Sequence, residues 1–209
     1  MIEIRVDEKS LKNLEQALEG INPKKASSAL NKGFKQAALL IERKLKQNIS
    51  GSLLNVRSGR LRSSIGSVVG TEDGLPVARI GSGVRQGRPV SYAGIHETGG
   101  VVRPKTGQFL TVPLKAAQTQ SGVTRFTARE VKSGMTNYKA SFIRKGIIFG
   151  VINKGRSSRE SIVPLFVLKR SVTIRPSRYL TITRNETEQE AMKELVAAAE
   201  IAVKPKGQE

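Results

Sequence analysis

Residues 23–49, PKKASSALNKGFKQAALLIERKLKQNI, place Ala26, Leu30, Phe34, Ala37, Ala38, Ile41, Leu45 and Ile49 at steps of three and four. On a helix of 3.6 residues per turn those positions form one continuous apolar stripe, about seven turns long. Lys, Arg, Gln and Glu fill the opposite side. The stretch therefore predicts a long amphipathic helix that begins near Pro23 and stops at Ser50-Gly51-Ser52. A stripe of that length must be buried against something, and the neighbouring sequence supplies strands. On the N-terminal side, Met1 to Asp7 alternate like a short strand, and Asp7 to Ala17 read as a modest helix with Leu11, Leu14 and Leu18 on one face.

On the C-terminal side, Ser58 is placed to cap a short helical turn over Arg60 to Ile65. Val68 to Gly70 and Pro76 to Gly81 are two alternating runs separated by Thr71-Glu72-Asp73-Gly74, which predicts a β-hairpin. Tyr92 to Glu97 fits either a short helix or a strand end, and Gly99-Gly100 breaks it. Phe109 to Leu114 reads as a strand whose Pro113 confines it to a sheet edge. Phe142 to Lys145, Ile147 to Ile152 and Val163 to Val172 supply further strands, and Asn185 with Glu188 suggests a capping box opening a last helix lined by Met192, Leu195, Val196, Ala199 and Val203. Ala116 to Lys139 shows no sustained apolar period and reads as a long polar loop insertion, ordered only in an assembly. The expected organisation is an N-terminal strand and short helix (1–22), one α+β domain (23–203) and a fraying tail (204–209). Its sheet is mostly antiparallel and packs on the long N-terminal helix and the C-terminal one.

The 209 residues include no cysteine, one histidine and no tryptophan. Disulfides, Cys-bound zinc and thiol nucleophiles are thereby excluded. The opening residues lack the apolar core of a signal peptide, and no apolar run approaches the roughly 18 residues that span a bilayer, so a soluble chain without membrane partners is expected. Aromatic residues make up only 4% of the chain, which points to stability supplied partly by neighbouring subunits.

The formal net charge is +19, and between Arg103 and Arg178 the only acids are Glu130 and Glu160. Such a field attracts either a phosphate backbone or acidic protein faces. Arg85, Arg88, Lys105, Arg144, Lys145, Lys154, Arg156, Arg159, Lys169 and Arg170 are the candidate contacts. They suit phosphate rather than base edges, since the phenylalanines fall mostly in apolar runs. Catalysis finds little material. His96-Glu97 are sequence neighbours about 100° apart on a helix, or on opposite faces of a strand, which suits no base-and-acid pair. The position four beyond His96 is Gly100 rather than a second histidine, and the only aspartates are Asp7 and Asp73, so neither a zinc site nor a two-metal nuclease is expected. No cofactor is implied: Gly81, Gly83 and Gly87 do not have dinucleotide spacing.

Three segments, Ser58-Gly59-Arg60-Leu61-Arg62, Ser91-Tyr92-Ala93-Gly94-Ile95-His96-Glu97-Thr98-Gly99-Gly100 with Arg103-Pro104, and Arg175-Pro176-Ser177-Arg178-Tyr179-Leu180, resemble in this order the tail-completion (virion morphogenesis) proteins of long-tailed bacteriophages. The likeness spans roughly residues 25 to 200. It implies a non-enzymatic α+β subunit at the virion neck, made in the host cytoplasm and assembled as a six- or twelve-fold ring with other neck and tail proteins, beside the passing DNA. It also implies interface or structural roles for Arg60, Leu61, Arg62, Tyr92, His96, Glu97, Gly99, Gly100, Arg103, Pro104, Arg175, Pro176 and Arg178. Arg60, Arg62, Arg103 and Arg178 are the expected ion-pairing arginines. The other function considered is non-specific DNA binding through phosphate contacts.

Overall fold

The structure is a computed structural model that describes residues 1–5, 23–73, 75–153 and 160–203. The expected helix over 7–17, the basic turn with Lys154, Arg156 and Arg159, and the C-terminal tail lie outside the described residues. The chain is α+β, and its contacts gather into two compact units, Met1–Thr98 with Pro176–Glu209, and the inserted Gly99–Arg175.

The first unit is built on helix α1 (Pro23–Gln47). Its stripe is buried as the spacing predicts: Ala26, Phe34, Ala37, Ala38, Ile41, Leu45 and Ile49 are all within the core. Lys44 and Lys46 in its last turn face the negative end of the helix dipole. Strands β1 (Ile2–Arg5), β2 (Ile65–Glu72) and β3 (Leu75–Ser82) form an antiparallel sheet in the order β1-β3-β2. The expected hairpin is β2–β3, with Ile65 opposite Ser82 and Glu72 opposite Leu75. Ile2, Ile65, Ala78 and Ile80 pack on the stripe of α1. The short helix α2 (Arg60–Ser64) lies between, but its cap position is taken by Gly59 at φ 72°, not by Ser58. A left-handed residue there suits glycine.

The unit ends in helix α5 (Tyr179–Val203). It starts six residues before Asn185, which is therefore interior to the helix and caps nothing. Its inner face is only partly the expected one: Tyr179, Thr183, Thr187, Ala191, Ala198 and Ala202 are buried and Leu195 packs against the core, while Met192 and Val196 are 55% and 51% exposed. Small residues win because α1 and α5 run antiparallel at very close range. A Cβ on Gly33 would overlap the Ala198 methyl, and at the other end Asn48 Nδ2 donates to Thr183 Oγ1 (2.9 Å) and Glu186 Oε2 (2.7 Å).

The second unit holds a two-stranded ribbon, β4 (Gly100–Val102) with β9 (Val172–Ile174), and a four-stranded antiparallel sheet ordered β5-β8-β7-β6. Its strands are β5 (Leu110–Pro113), β6 (Ala140–Arg144), β7 (Ile147–Asn153) and β8 (Glu160–Lys169). Pro113 sits on an edge strand, as its missing N–H requires. A register shift beside Ile148 and Phe149 leaves Leu165 as the extra residue of a bulge. Both Leu165 and Phe166 can then face the same core, which neighbours on a regular strand cannot do.

The segment 116–139 corrects the reading of a structureless polar loop. Lys115–Ala117 form a 3-10 turn, Gln118 bridges Thr124, and helix α4 (Ala128–Lys132) opens on a capping box between Thr127 and Glu130. Ala117 and Val131 are fully buried, and Phe126 meets Tyr138 and Phe166 edge-on at 5.5 and 6.2 Å. These residues form the lid of the second core, so the segment is ordered within the chain itself.

Candidate functional site

Helix α3 (Ala93–Thr98) is a helix rather than a strand end, and it stops at Gly99 with φ 71°. Its last carbonyls have no partner within the helix. Ser177 supplies two, its N–H (2.7 Å) and Oγ (2.6 Å) both donating to the His96 carbonyl, and Arg178 N–H donates to the Glu97 carbonyl (3.3 Å). The first turn of α5 has the opposite need, unpaired N–H groups. Glu97 meets it: Oε2 accepts from Leu180 N–H (2.7 Å), and Oε1 accepts from Thr181 N–H (3.2 Å) and Oγ1 (2.8 Å). A carboxylate at a helix N-terminus is also favoured by the dipole. Tyr179, 2% exposed, donates its hydroxyl to the Ala93 carbonyl at 3.2 Å. Burial, followed by the charge of Glu97, pushes that phenol up to about 12.

Two of the three sequence landmarks thus dock on each other, carbonyl ends against N–H ends. Arg178 contributes through its backbone, held at φ 51°. Ser177, Tyr179, Leu180 and Thr181 were not among the candidate site residues. Only the pairing of a distant carboxylate with this helix start reveals them, and no local pattern encodes it.

His96 sits with its ring edge-on to Tyr92, centroids 5.8 Å apart. Burial, then the Arg57 charge, lowers its pKa, which favours the neutral imidazole at pH 7. Both oxygens of its neighbour Glu97 are occupied by α5, so the two do not work as a base and its orienting acid. Among the described residues no group of three or more His, Asp or Glu side chains is placed to hold a metal, and no helix is long and apolar enough to cross a membrane.

The third landmark stands differently. Leu61 packs against the first core, while Arg60 and Arg62 are exposed on α2. None of Arg60, Arg62, Arg103 and Arg178 reaches an acidic side chain among the described residues of its own chain. Arg85, by contrast, is engaged internally: it donates to Glu42 Oε2 (2.8 Å) and to the Ser67 carbonyl (3.2 Å). Glu42 is 6% exposed and also accepts from Lys46 (2.7 Å) and Ser67 Oγ (2.6 Å). Burial pushes its carboxyl up, but the hydrogen bonds from Lys46 and Ser67 and the charges of Lys46 and Arg85 outweigh that and hold it below its ordinary value.

The charge is concentrated in the inserted unit. Its described residues carry twelve Lys and Arg against Glu130 and Glu160. Lys105, Arg144, Lys145, Lys169 and Arg170 are all exposed there, as are Arg103 and Arg175, with Pro104 half-buried; Arg88 is exposed in the first unit. Lys145 stands at φ 49° in the β6–β7 turn. One ion pair, Lys139 to Glu160 at 3.4 Å, forms among the described residues of this unit.

No curated protein and no solved structure matches the chain. Residues 1–148 match the model of a family of unknown function, DUF6441, and the chain belongs to that family.

Proposed function

We propose that this chain is a non-catalytic structural subunit of a tailed-bacteriophage virion, which completes the tail and joins it to the head as part of a neck ring. The observation that carries the reading is the docking of the His96-Glu97 segment on the Ser177-Arg178-Tyr179-Leu180 segment. Two motifs of the resemblance serve there as a joint between helix ends, and the only histidine's carbonyl, rather than its imidazole, takes the strong contacts. Exposed Arg60, Arg62 and Arg103 then remain for acidic faces of other copies or of neighbouring neck and tail proteins. Immunolabelling and subunit-resolution imaging of purified virions test the reading. Density for the chain at the neck, together with heads and tails that fail to join when its gene is deleted, is the expected result. Absence from particles whose infectivity survives the deletion sinks it.

A second reading, non-specific DNA binding, is favoured by the twelve-to-two excess of cations in the inserted unit. It predicts association with duplex DNA that weakens steeply with salt and does not depend on sequence. A titration at low ionic strength that shows no binding removes it.

A further inference from the structure

Three loops of the inserted unit meet at one end of its four-stranded sheet. Strand β6 ends at Arg144, opposite Ile147 and, across β7, Val167, so the Lys145-Gly146 turn and the last residues of β8 lie at the same end. The Leu168 N–H donates to the Gly146 carbonyl at 2.8 Å, which ties that turn to β8 beside Lys169. The third loop, residues 103–109, leaves β4 at the Val102–Val172 pair and enters β5 at the Leu110–Lys169 pair. Both its ends are therefore held against the short link through Arg170 and Ser171.

Lys105, Arg144, Lys145, Lys169 and Arg170 are gathered there, all exposed. None reaches an acidic side chain among the described residues. The acids of the described unit are committed elsewhere: Glu130 closes the capping box with Thr127, and Glu160 pairs with Lys139. Glu160 also opens β8 at the far end, about 30 Å of strand away from Lys169. The three loops contain no carboxylate, and Thr106, Gln108 and Ser171 add neutral donors. Phosphate is held by these side-chain types.

Phe109, 42% exposed, is the one large apolar side chain in the three loops. A single ring is too little for the desolvated apolar centre of a protein contact, from which Lys is depleted. It is also too little for the row of rings on which a single strand stacks. Two strand spacings across and two residues along put the Arg144 and Lys169 backbones about 12 Å apart. Over that length a duplex presents about seven charges, twice the density of a single strand, enough to meet all these cations at once.

We infer that this end of the sheet is a docking surface for the phosphate backbone of duplex DNA, contacted without regard to base sequence. The inference rests on the second reading above and deepens it, because it replaces a diffuse excess of charge with named contacts in one place. Arg85, committed to Glu42, is no part of the surface.

The test uses the purified full chain and fluorescence anisotropy with a labelled duplex of mixed sequence, titrated over a range of salt concentrations. The logarithm of the binding constant is expected to fall against the logarithm of salt with a slope of about −4 to −5, near −0.9 for each phosphate neutralised. Arg144→Gln, Lys145→Gln, Lys169→Gln and Arg170→Gln in one chain should bring the slope to about −1. Lys115→Gln, Arg125→Gln, Arg129→Gln and Lys132→Gln change the net charge equally, on the segment that covers the core face, and should shift the slope by less than about one. Lys145→Gln alone, in an exposed turn, should reduce its magnitude by about one, so the surface is tested even if the fourfold variant misfolds. A wild type that binds no duplex at low ionic strength removes both this surface and the DNA reading it rests on. Equal loss in the two fourfold variants keeps the DNA reading and overturns the surface. Single-stranded DNA, or polyglutamate of matched charge, bound as tightly as the duplex overturns the choice of partner.

Discussion

The two units solve the same problem, burying a sheet, with opposite materials. The first stacks a long helix on a three-stranded sheet and clamps a second helix to it through Gly33, Ala198, Thr183 and Asn48. Its buried polar groups, Glu42 and Asn48 among them, are all given partners. The second has no long helix among its described residues, and its core is a handful of apolar side chains closed over by the 116–139 segment. It also carries most of the chain's net positive charge. The contrast teaches that internal order and outward interaction are divided: the host unit spends its polar chemistry on itself, and the insertion presents its own to the surroundings.

The largest effects should come from breaking either core and should stay where they are made. Tyr179→Ala removes a fully buried aromatic side chain from the first unit and is expected to cost about 3–5 kcal/mol, with Leu165→Ala costing about 2–5 kcal/mol in the second. Thermal unfolding combined with hydrogen exchange checks this. Protection should fall in α1 and α5 for the first variant and in β7 and β8 for the second. Equal loss everywhere in both variants would show one cooperative core instead of two.

A smaller, pH-dependent effect belongs to the first unit alone. Glu42 has a lowered pKa in the folded chain, so its ionised form stabilises the fold above the ordinary carboxylate value, and that contribution is lost as the pH falls through the folded value. Glu42→Gln should cost about 1.5–3 kcal/mol at neutral pH, in the range of hydrogen bonds to charged groups. Denaturant titrations should show a shallower decline in acid for the variant than for the wild type; parallel declines would exonerate this carboxylate.

The smallest expected loss is Glu97→Ala, about 0.5–2 kcal/mol, because it removes a helix cap and no core volume. Exchange should quicken mainly at Leu180 and Thr181, the two N–H groups the carboxylate accepts. Unchanged exchange there would mean that water replaces the cap at no cost.

The parts of the fold legible in the sequence are those where one short-range rule decides. The period of three and four over Ala26 to Ile49 gave α1, and a turn composition between two alternating runs gave the β2–β3 hairpin. Misreadings arose where a distant group decides. Asn185 and Glu188 imitate a capping box, but the true start of α5 is set by Glu97, 83 residues earlier. Met192 and Val196 have the look of core, but the close approach at Gly33 turns the small Ala198 inward there and leaves those two side chains outside. In 116–139 the buried residues Ala117, Phe126, Val131 and Tyr138 follow no period, because they pack from a turn, a loop and a short helix onto a sheet whose strands come from elsewhere in the chain. At the joint, the two motifs were visible as strings, and their mutual docking was not, since neither string names the distant group that its side chains and main-chain groups will meet.

The Ser177–His96 bonds have one further consequence. They pin the point of departure of residues 99–175 beside the point of return, so the host unit experiences its 77-residue guest as a closed loop whose mouth is already shut. The entropy of closing such a loop grows only slowly with its length. Lineages can therefore lengthen, shorten or exchange the guest at little thermodynamic penalty to the host, and variation in size among related chains is expected to concentrate between those two pinned ends.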